Sequence, residues 1–325
     1  MIKRRDFVQA IPLITLQMAG VSANAQSNFP RKPITLVVSS PPGGQSDLIS
    51  RYLSDLLSRE FGQPVIIENK PGANGAIGLQ YAAKQPADGH TIVYGVAAWM
   101  AINPGFYPNL PYDPQKDFDP ITQLGIAPQC LMLGAHVPAK TLAEFIQLAK
   151  TSPGKYTFAS FGNGSTSHMQ GEMLKRLAGI DMLHVPFKGS AQAIQELLAG
   201  RVDSFIIDFS PAAGFIKDGR IRGVAVTGTV RSPEFPEIPT FQQQGYALNL
   251  VGWNGLYVPA GTPKEIVGLL NKKLNAIIQS EAGRVKLTQL ALLPTGTTPE
   301  EFRRILSEDI PKWREIIKLT GAKPD

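Results

Sequence analysis

The residues with the types and spacing to do chemistry are concentrated in residues 156–178, YTFASFGNGSTSHMQGEMLKRLA. A β-prone run over 156–161 breaks at Gly162-Asn163-Gly164. Three hydroxyls follow, Ser165, Thr166 and Ser167, and then His168. Apolar residues at Met169, Met173, Leu174 and Leu177 are spaced for one helix face. A strand, a glycine turn and a hydroxyl-rich helix start bring unpaired backbone N–H groups and side-chain hydroxyls to one point. The partial positive charge of the helix start suits a small anion. The same residues also read as an ordinary helix start, with Ser167 and Gln170 as a capping box. Recurrence favours the binding reading: comparable turns stand at 39–46, 70–75 and 187–190.

Other chemistries find little support. Ser167-His168 invites a hydrolase reading, but neighbours on a helix point about 100° apart. A catalytic triad needs its nucleophile and base within hydrogen-bond reach, and no Gly-x-Ser-x-Gly elbow is present. The single cysteine, Cys130, lies in the apolar run Cys130-Leu131-Met132-Leu133 and reads as core. His90, His136, His168 and His184 show no ligand spacing, so neither a metal nor another cofactor is expected.

At 325 residues, 43% hydrophobic and 18% charged, with 31 Gly and 27 Pro, the chain has room for two domains with many turns. The net charge of +6 includes Lys3, Arg4, Arg5 and Asp6; without them it is +4. No basic run with interleaved aromatics follows, so nucleic acid is not indicated. Lys3-Arg4-Arg5-Asp6-Phe7, an interrupted apolar run to Val21 and Ala23-Asn24-Ala25 predict a secretory signal over residues 1–25. Cleavage is expected after Ala25, and the arginine pair suggests the twin-arginine route into a periplasm. The apolar run is too short and too polar to anchor the chain in a membrane.

The elements that must position these groups alternate. Strands are predicted over 34–40, 65–67 and 91–96, with helices after the first two, Asp47 capping the first of these. A second series has strands at 131–134, 156–161, 181–185, 202–208 and 222–227, and helices between them. A strand at 255–258 and helices at 264–279, 284–290 and 301–319 close the chain. Such alternation means parallel sheets with helices on their faces, and ligands then bind beyond the carboxyl ends of the strands.

Seven segments carry a resemblance: Val37-Val38-Ser39-Ser40-Pro41-Pro42-Gly43-Gly44, Glu68-Asn69-Lys70-Pro71-Gly72-Ala73, Leu110-Pro111-Tyr112-Asp113-Pro114, Lys116-Asp117-Phe118, Gly162-Asn163-Gly164-Ser165, His184-Val185-Pro186-Phe187-Lys188-Gly189-Ser190 and Pro259-Ala260-Gly261-Thr262-Pro263. In order and spacing they resemble the Bug-type receptors of tripartite tricarboxylate transporters, over essentially the whole mature chain. The resemblance implies an α/β periplasmic binding protein of type II topology. Two lobes would close over a ligand cleft, with crossovers near residues 122–129 and 248–253. Lobe 1 would comprise residues 26–125 and 251–325, and lobe 2 residues 126–250. It further implies a monomeric, non-enzymatic receptor for a small carboxylate, working with transporter membrane subunits or with a membrane sensor kinase. Members hold the carboxylate with backbone N–H groups, hydroxyls and water.

Carried over by position, the implied ligand residues are Ser40, Pro42, Gly43, Gly44 and Gln45 in the first turn and Ala98 in the third. Ser165, Thr166, Ser167 and His168 at the helix start, Phe187, and Asp208 at a strand end complete the set. Asp208 equally reads as the cap of the next helix. Pro41 and Pro42 have no N–H, so donors in that turn are expected from Gly43 onward. Trp99-Met100 departs from the small or hydroxyl residues usual in relatives; a cleft-lining Trp99 would suit a bulky or aromatic ligand.

Overall fold

The computed structural model describes residues 29–324, and the expected export signal at residues 1–25 lies outside them. β1 (Ile34–Val38) is apolar because both of its faces are covered. α1 (Gln45–Phe61) buries Ile49, Leu53 and Leu57 and stops at Gly62, whose φ of 62° suits a residue without Cβ. Two expectations fail here. Gly44, not Asp47, is the helix cap, and Leu48 is 44% exposed because it lies beside the buried stripe. β2 (Val65–Asn69), α2 (Ala76–Ala83) and β3 (Thr91–Val96) follow. A wide helical turn, Ala98–Ile102, then runs into α3 (Asn103–Phe106) and β4 (Phe118–Ala127).

Pro128 and Gln129 separate β4 from β5 (Cys130–Gly134). The second series is α4 (Leu142–Thr151), β6 (Thr157–Ser160), α5 (Thr166–Ala178), β7 (Leu183–Pro186), α6 (Ser190–Leu198), β8 (Ser204–Ile207), α7 (Ala213–Lys217) and β9 (Ile221–Val226). β10 (Gly252–Pro259), α8 (Lys264–Gln279), α9 (Glu281–Gln289), β11 (Leu293–Pro294) and α10 (Pro299–Thr320) finish the chain.

These strands form two sheets, β11-β4-β10-β3-β1-β2 and β7-β6-β8-β5-β9. Neither is purely parallel, as alternation alone would imply. β10 runs antiparallel to both β3 and β4, and β5 runs antiparallel to β8 and β9. β5 and β10 are the strands reached by the two crossings between sheets, one of two residues and one of the long stretch after β9. Each sheet with its helices makes one lobe of a two-lobed α/β fold.

Two apolar clusters fill the interior. The larger joins the first sheet's core (Leu36, Leu256, Trp313) to α4 and α5 of the second lobe through Phe145, Met169 and Leu174. The smaller lies on the other face of the second sheet, between Phe205 and Ile207 of β8 and Ile194 and Leu197 of α6. Cys130 belongs to it, and burial pushes its thiol up to about 12, as a core cysteine requires.

α10 packs Phe302, Leu306, Ile310 and Trp313 on the larger core. Its start is fixed by a reciprocal cap: Thr298 Oγ1 accepts from Glu301 N–H at 3.1 Å, and the Glu301 carboxylate accepts from Thr298 N–H at 2.8 Å. Thr298→Ala is expected to lower stability by about 1 kcal/mol in urea unfolding. An unchanged midpoint would mean that the packed face alone sets this helix.

Candidate functional site

Parallel strands end on one side of each sheet, and those ends face each other. The segments after β1, β2 and β3 in the first lobe and after β6, β7 and β8 in the second line a shared cleft of about 1060 Å³. Three helices begin there: α1 at Gly44, Gln45 and Ser46, α5 at Ser165 and Thr166, and α6 at Gly189, Ser190 and Ala191. The first N–H groups of each have no partner within their own helix, and each start carries the positive end of a helix dipole. Lys188 is the only basic residue lining the cleft among the described residues, and it is exposed. The arrangement can hold an anion with dipoles and neutral donors from both lobes.

Of the ligand residues expected from sequence, the cleft brings together Ser40, Pro42, Gly43, Gly44, Gln45, Ala98, Ser165, Thr166, Phe187 and Asp208. Their functions differ. Gly43 holds φ at 85°, and its N–H donates to Asp47 Oδ2 at 2.9 Å. The free donors of that turn therefore begin at Gly44, one residue later than expected. Gln45 sends its side chain to the Leu290 carbonyl at 2.8 Å and receives Asn254 Nδ2 at 3.3 Å, so its amide braces the first lobe.

Ser167 and His168 do not reach the cleft. The α5 cap is Ser165 rather than Ser167: Ser165 Oγ accepts from His168 N–H at 3.3 Å and donates to Gly162 O at 2.6 Å. That offset turns Ser167 and His168 inward. Ser167 Oγ accepts from Phe161 N–H at 3.1 Å, and His168 Nδ1 accepts from Gly164 N–H at 3.2 Å. Gln170, expected to complete the cap, instead donates to the Leu250 carbonyl at 2.9 Å. His168 also stacks on His184, with centroids 4.1 Å apart. Burial, helped by Lys175, holds the His184 imidazole down at about 4, and Ser160 Oγ lies 2.6 Å from its Nε2. Thr166 is left as the one hydroxyl of the trio at the cleft with no protein partner among the described residues.

In the cleft, Asp208 directly follows β8 beside Gln129, whose amide bonds to its carboxylate. Burial pushes the Asp208 carboxyl up to about 7, against the smaller lowering effects of Gln129 and its own backbone N–H. Gln129 Oε1 and the hydroxyls of Ser39 and Ser40 are buried there without partners in the protein. Trp99 does line the cleft, presenting little more than an edge at 7% exposure. Gly75 backs the indole: at φ 83°, a Cβ there would stand 2.7 Å from the ring. Tyr107, Phe161 and Phe187 add half-buried aromatic rings from both lobes. Sequence reasoning missed Gln129, Asn254 and Tyr107. The first two flank the crossings between sheets, a position that carries no local pattern.

The sequence profile of the tripartite tricarboxylate transporter family receptor matches residues 49–322. A UPF0065 protein from a tcbD–tcbE intergenic region of a Pseudomonas species is 34% identical, over 94% of this chain and 91% of its own. BugT of Bordetella pertussis is 31% identical, over 95% and 96%. Among solved structures, a Rhodopseudomonas palustris protein with adipate superposes with a TM-score of 0.86 at 32% identity, covering 91% of this chain and all of that one. MatC of the same organism, with bound malate, gives 0.81 at 30% identity, over 89% of this chain and all of its own.

Proposed function

Since the chain belongs to the tripartite tricarboxylate transporter receptor family, we propose that it is a periplasmic receptor that captures a small carboxylate and hands it to the transporter's membrane subunits. The observation that carries this reading is the meeting of three helix starts in one cleft that, among the described residues, has no buried basic side chain. A carboxylate gains charge-assisted hydrogen bonds from such donors without an ion pair. The adipate and malate in two neighbouring structures support the ligand class. The breadth of the cleft and its rings at Trp99, Tyr107, Phe161 and Phe187 favour a ligand with a bulky or aromatic body.

In this reading the protein acts as an exported, monomeric binding protein without turnover, cleaved after Ala25. Among the described residues, one lobe comprises residues 29–127 and 252–324 and the other residues 130–250, hinged about Pro128-Gln129 and the chain before Gly252. No helix among the described residues is long and apolar enough to cross a membrane.

A carboxylate panel that includes aliphatic diacids and aromatic acids is the test, read by thermal shift. One clear hit at about 100 times its dissociation constant adds about 2.7 kcal/mol to the folded state. Product formation from the hit, or no stabilisation across the panel, overturns the reading.

A further inference from the structure

We infer that the two second-lobe helix starts facing the cleft are mechanically unequal: the start of α5 is fixed to the first lobe as a preassembled seat, and the start of α6 is the part that arrives on closure. The seat's role for a carboxylate rests on the proposed function; its fixation rests on packing alone.

Phe106, in α3 of the first lobe, reaches across to the second lobe's glycine turn. Gly164, at φ 75°, lies so close under it that a Cβ would stand 2.8 Å from the ring and 3.3 Å from Asn74 Nδ2. The Phe106 ring also meets His168 edge to face, with centroids 6.2 Å apart. His168 is thereby held between Phe106 of one lobe and His184 of the other, while its Nδ1 holds Gly164 N–H. Its neighbour Tyr107 donates its hydroxyl to the Asn163 carbonyl at 3.5 Å. Asn74 is itself anchored by Asn103, which accepts from Asn74 Nδ2 at 2.9 Å and donates to Asn74 O at 2.9 Å.

The rest of α5 repeats the attachment. Arg176 donates to the Leu319 carbonyl at 3.3 Å, and Met169 and Leu174 lie in the core cluster shared with the first lobe. α6 shares β6 and β8 of the second sheet with α5 and differs in what it packs on beyond them. It packs on β5, β6 and β8, its Ile194 and Leu197 belong to the cluster confined to the second lobe, and Lys188, Ala191 and Gln192 are exposed at its start. Packed interiors deform little, so a rotation of the lobes keeps the α5 start against the α3 wall and carries the α6 start across the cleft. His168 is a positioning residue in this scheme: it sets the turn before Ser165 and Thr166 and never meets the ligand.

Amide hydrogen exchange on the ligand-free mature protein tests this. Gly164, Ser165 and His168 are expected to exchange at least about ten-fold more slowly than the corresponding first-turn amides of α6. Phe106→Leu, which keeps an apolar side chain, should erase that protection and leave exchange in α6 and α10 unchanged. Gly164→Ala should do the same by clash. Equal exchange at the two helix starts, or unaltered protection in both variants, overturns the inference. Loss of folding in one variant leaves the wild-type comparison decisive. Because no ligand is present, failure here is separate from failure of the carboxylate panel.

Discussion

Thr166→Val is expected to weaken carboxylate binding about ten-fold or more, and Lys188→Ala to weaken it less. Of Ser165, Thr166 and Ser167, Thr166 is the hydroxyl that lines the cleft with no protein partner among the described residues, whereas the hydroxyls on either side are committed to the turn. A hydrogen bond to a charged group contributes roughly 1.5–3 kcal/mol, which is about one to two powers of ten in affinity. Valine keeps the shape and removes only the donor. Lys188 stands exposed, where an ion pair is screened and contributes at most about 1 kcal/mol. Ser165→Ala behaves differently again. It loses the α5 cap, so it should lower stability by about 1 kcal/mol as well as affinity. Calorimetry with the panel's hit separates the cases. Abolished binding in Lys188→Ala with normal binding in Thr166→Val would establish an ion-pair site in place of a dipole site.

Most of the framework was legible because its residues are locally consistent. The runs at Ile34, Thr91 and Thr157 are short and apolar, and α1 and α5 bury regular stripes and end on glycine. β4 was not legible, because Asp119, Pro120, Thr122 and Gln123 interrupt its apolar pattern. Thr122 and Gln123 are nevertheless buried, satisfied by Asn275, Thr295 and Thr297 from about 150 or more residues away in sequence. Much of the stretch expected as the first crossover is therefore strand. The antiparallel direction of β10 was hidden for the same reason: direction is a property of the long connection, and residue alternation does not encode it.

The site divides along the same line. Backbone devices announce themselves, since glycine and hydroxyl turns after apolar runs mark helix starts at strand ends. The phase of a cap does not. Ser167 and His168 were expected as ligand contacts because they match the family's helix start by position, and a cap at Ser165 turns both into the wall. Ser165 wins because Gly162 can turn back to meet its hydroxyl, at a φ of 118° that favours glycine. Gln129 and Asn254 reach the cleft only because two crossings bring β4, β5 and β10 together.

Asp208 yields the second large effect and the sharpest statement about ligand chemistry. Its carboxyl stands at about 7 in the folded protein against 3.8 unfolded, because burial disfavours its charge. Between those values the folded state holds a proton that the unfolded state has released, so stability falls as pH rises from about 4 to about 7 and is then constant. At its limit the shift costs about 4 kcal/mol. Asp208→Asn removes the ionisation. The variant should match the wild type near pH 4 and become more stable by up to that amount above about pH 7. Urea unfolding at about pH 4.5 and about pH 8.5 reads the difference; the same difference at both would contradict a buried, weakened acid.

The same proton reports on the ligand. A second anionic group placed beside Asp208 favours its neutral form, so binding takes up a proton and affinity falls as pH rises above about 7. A hydroxyl leaves the balance nearly unchanged, and an ammonium group favours the carboxylate, releases the proton and loses affinity below about 7. Titration calorimetry in two buffers of different ionisation enthalpy gives the sign directly. Proton uptake abolished by Asp208→Asn would identify a diacid whose far end lies on Asp208. Release abolished by the same change would identify an amino acid. Linkage that persists in Asp208→Asn would place the titrating group elsewhere and remove Asp208 from the ligand's reach.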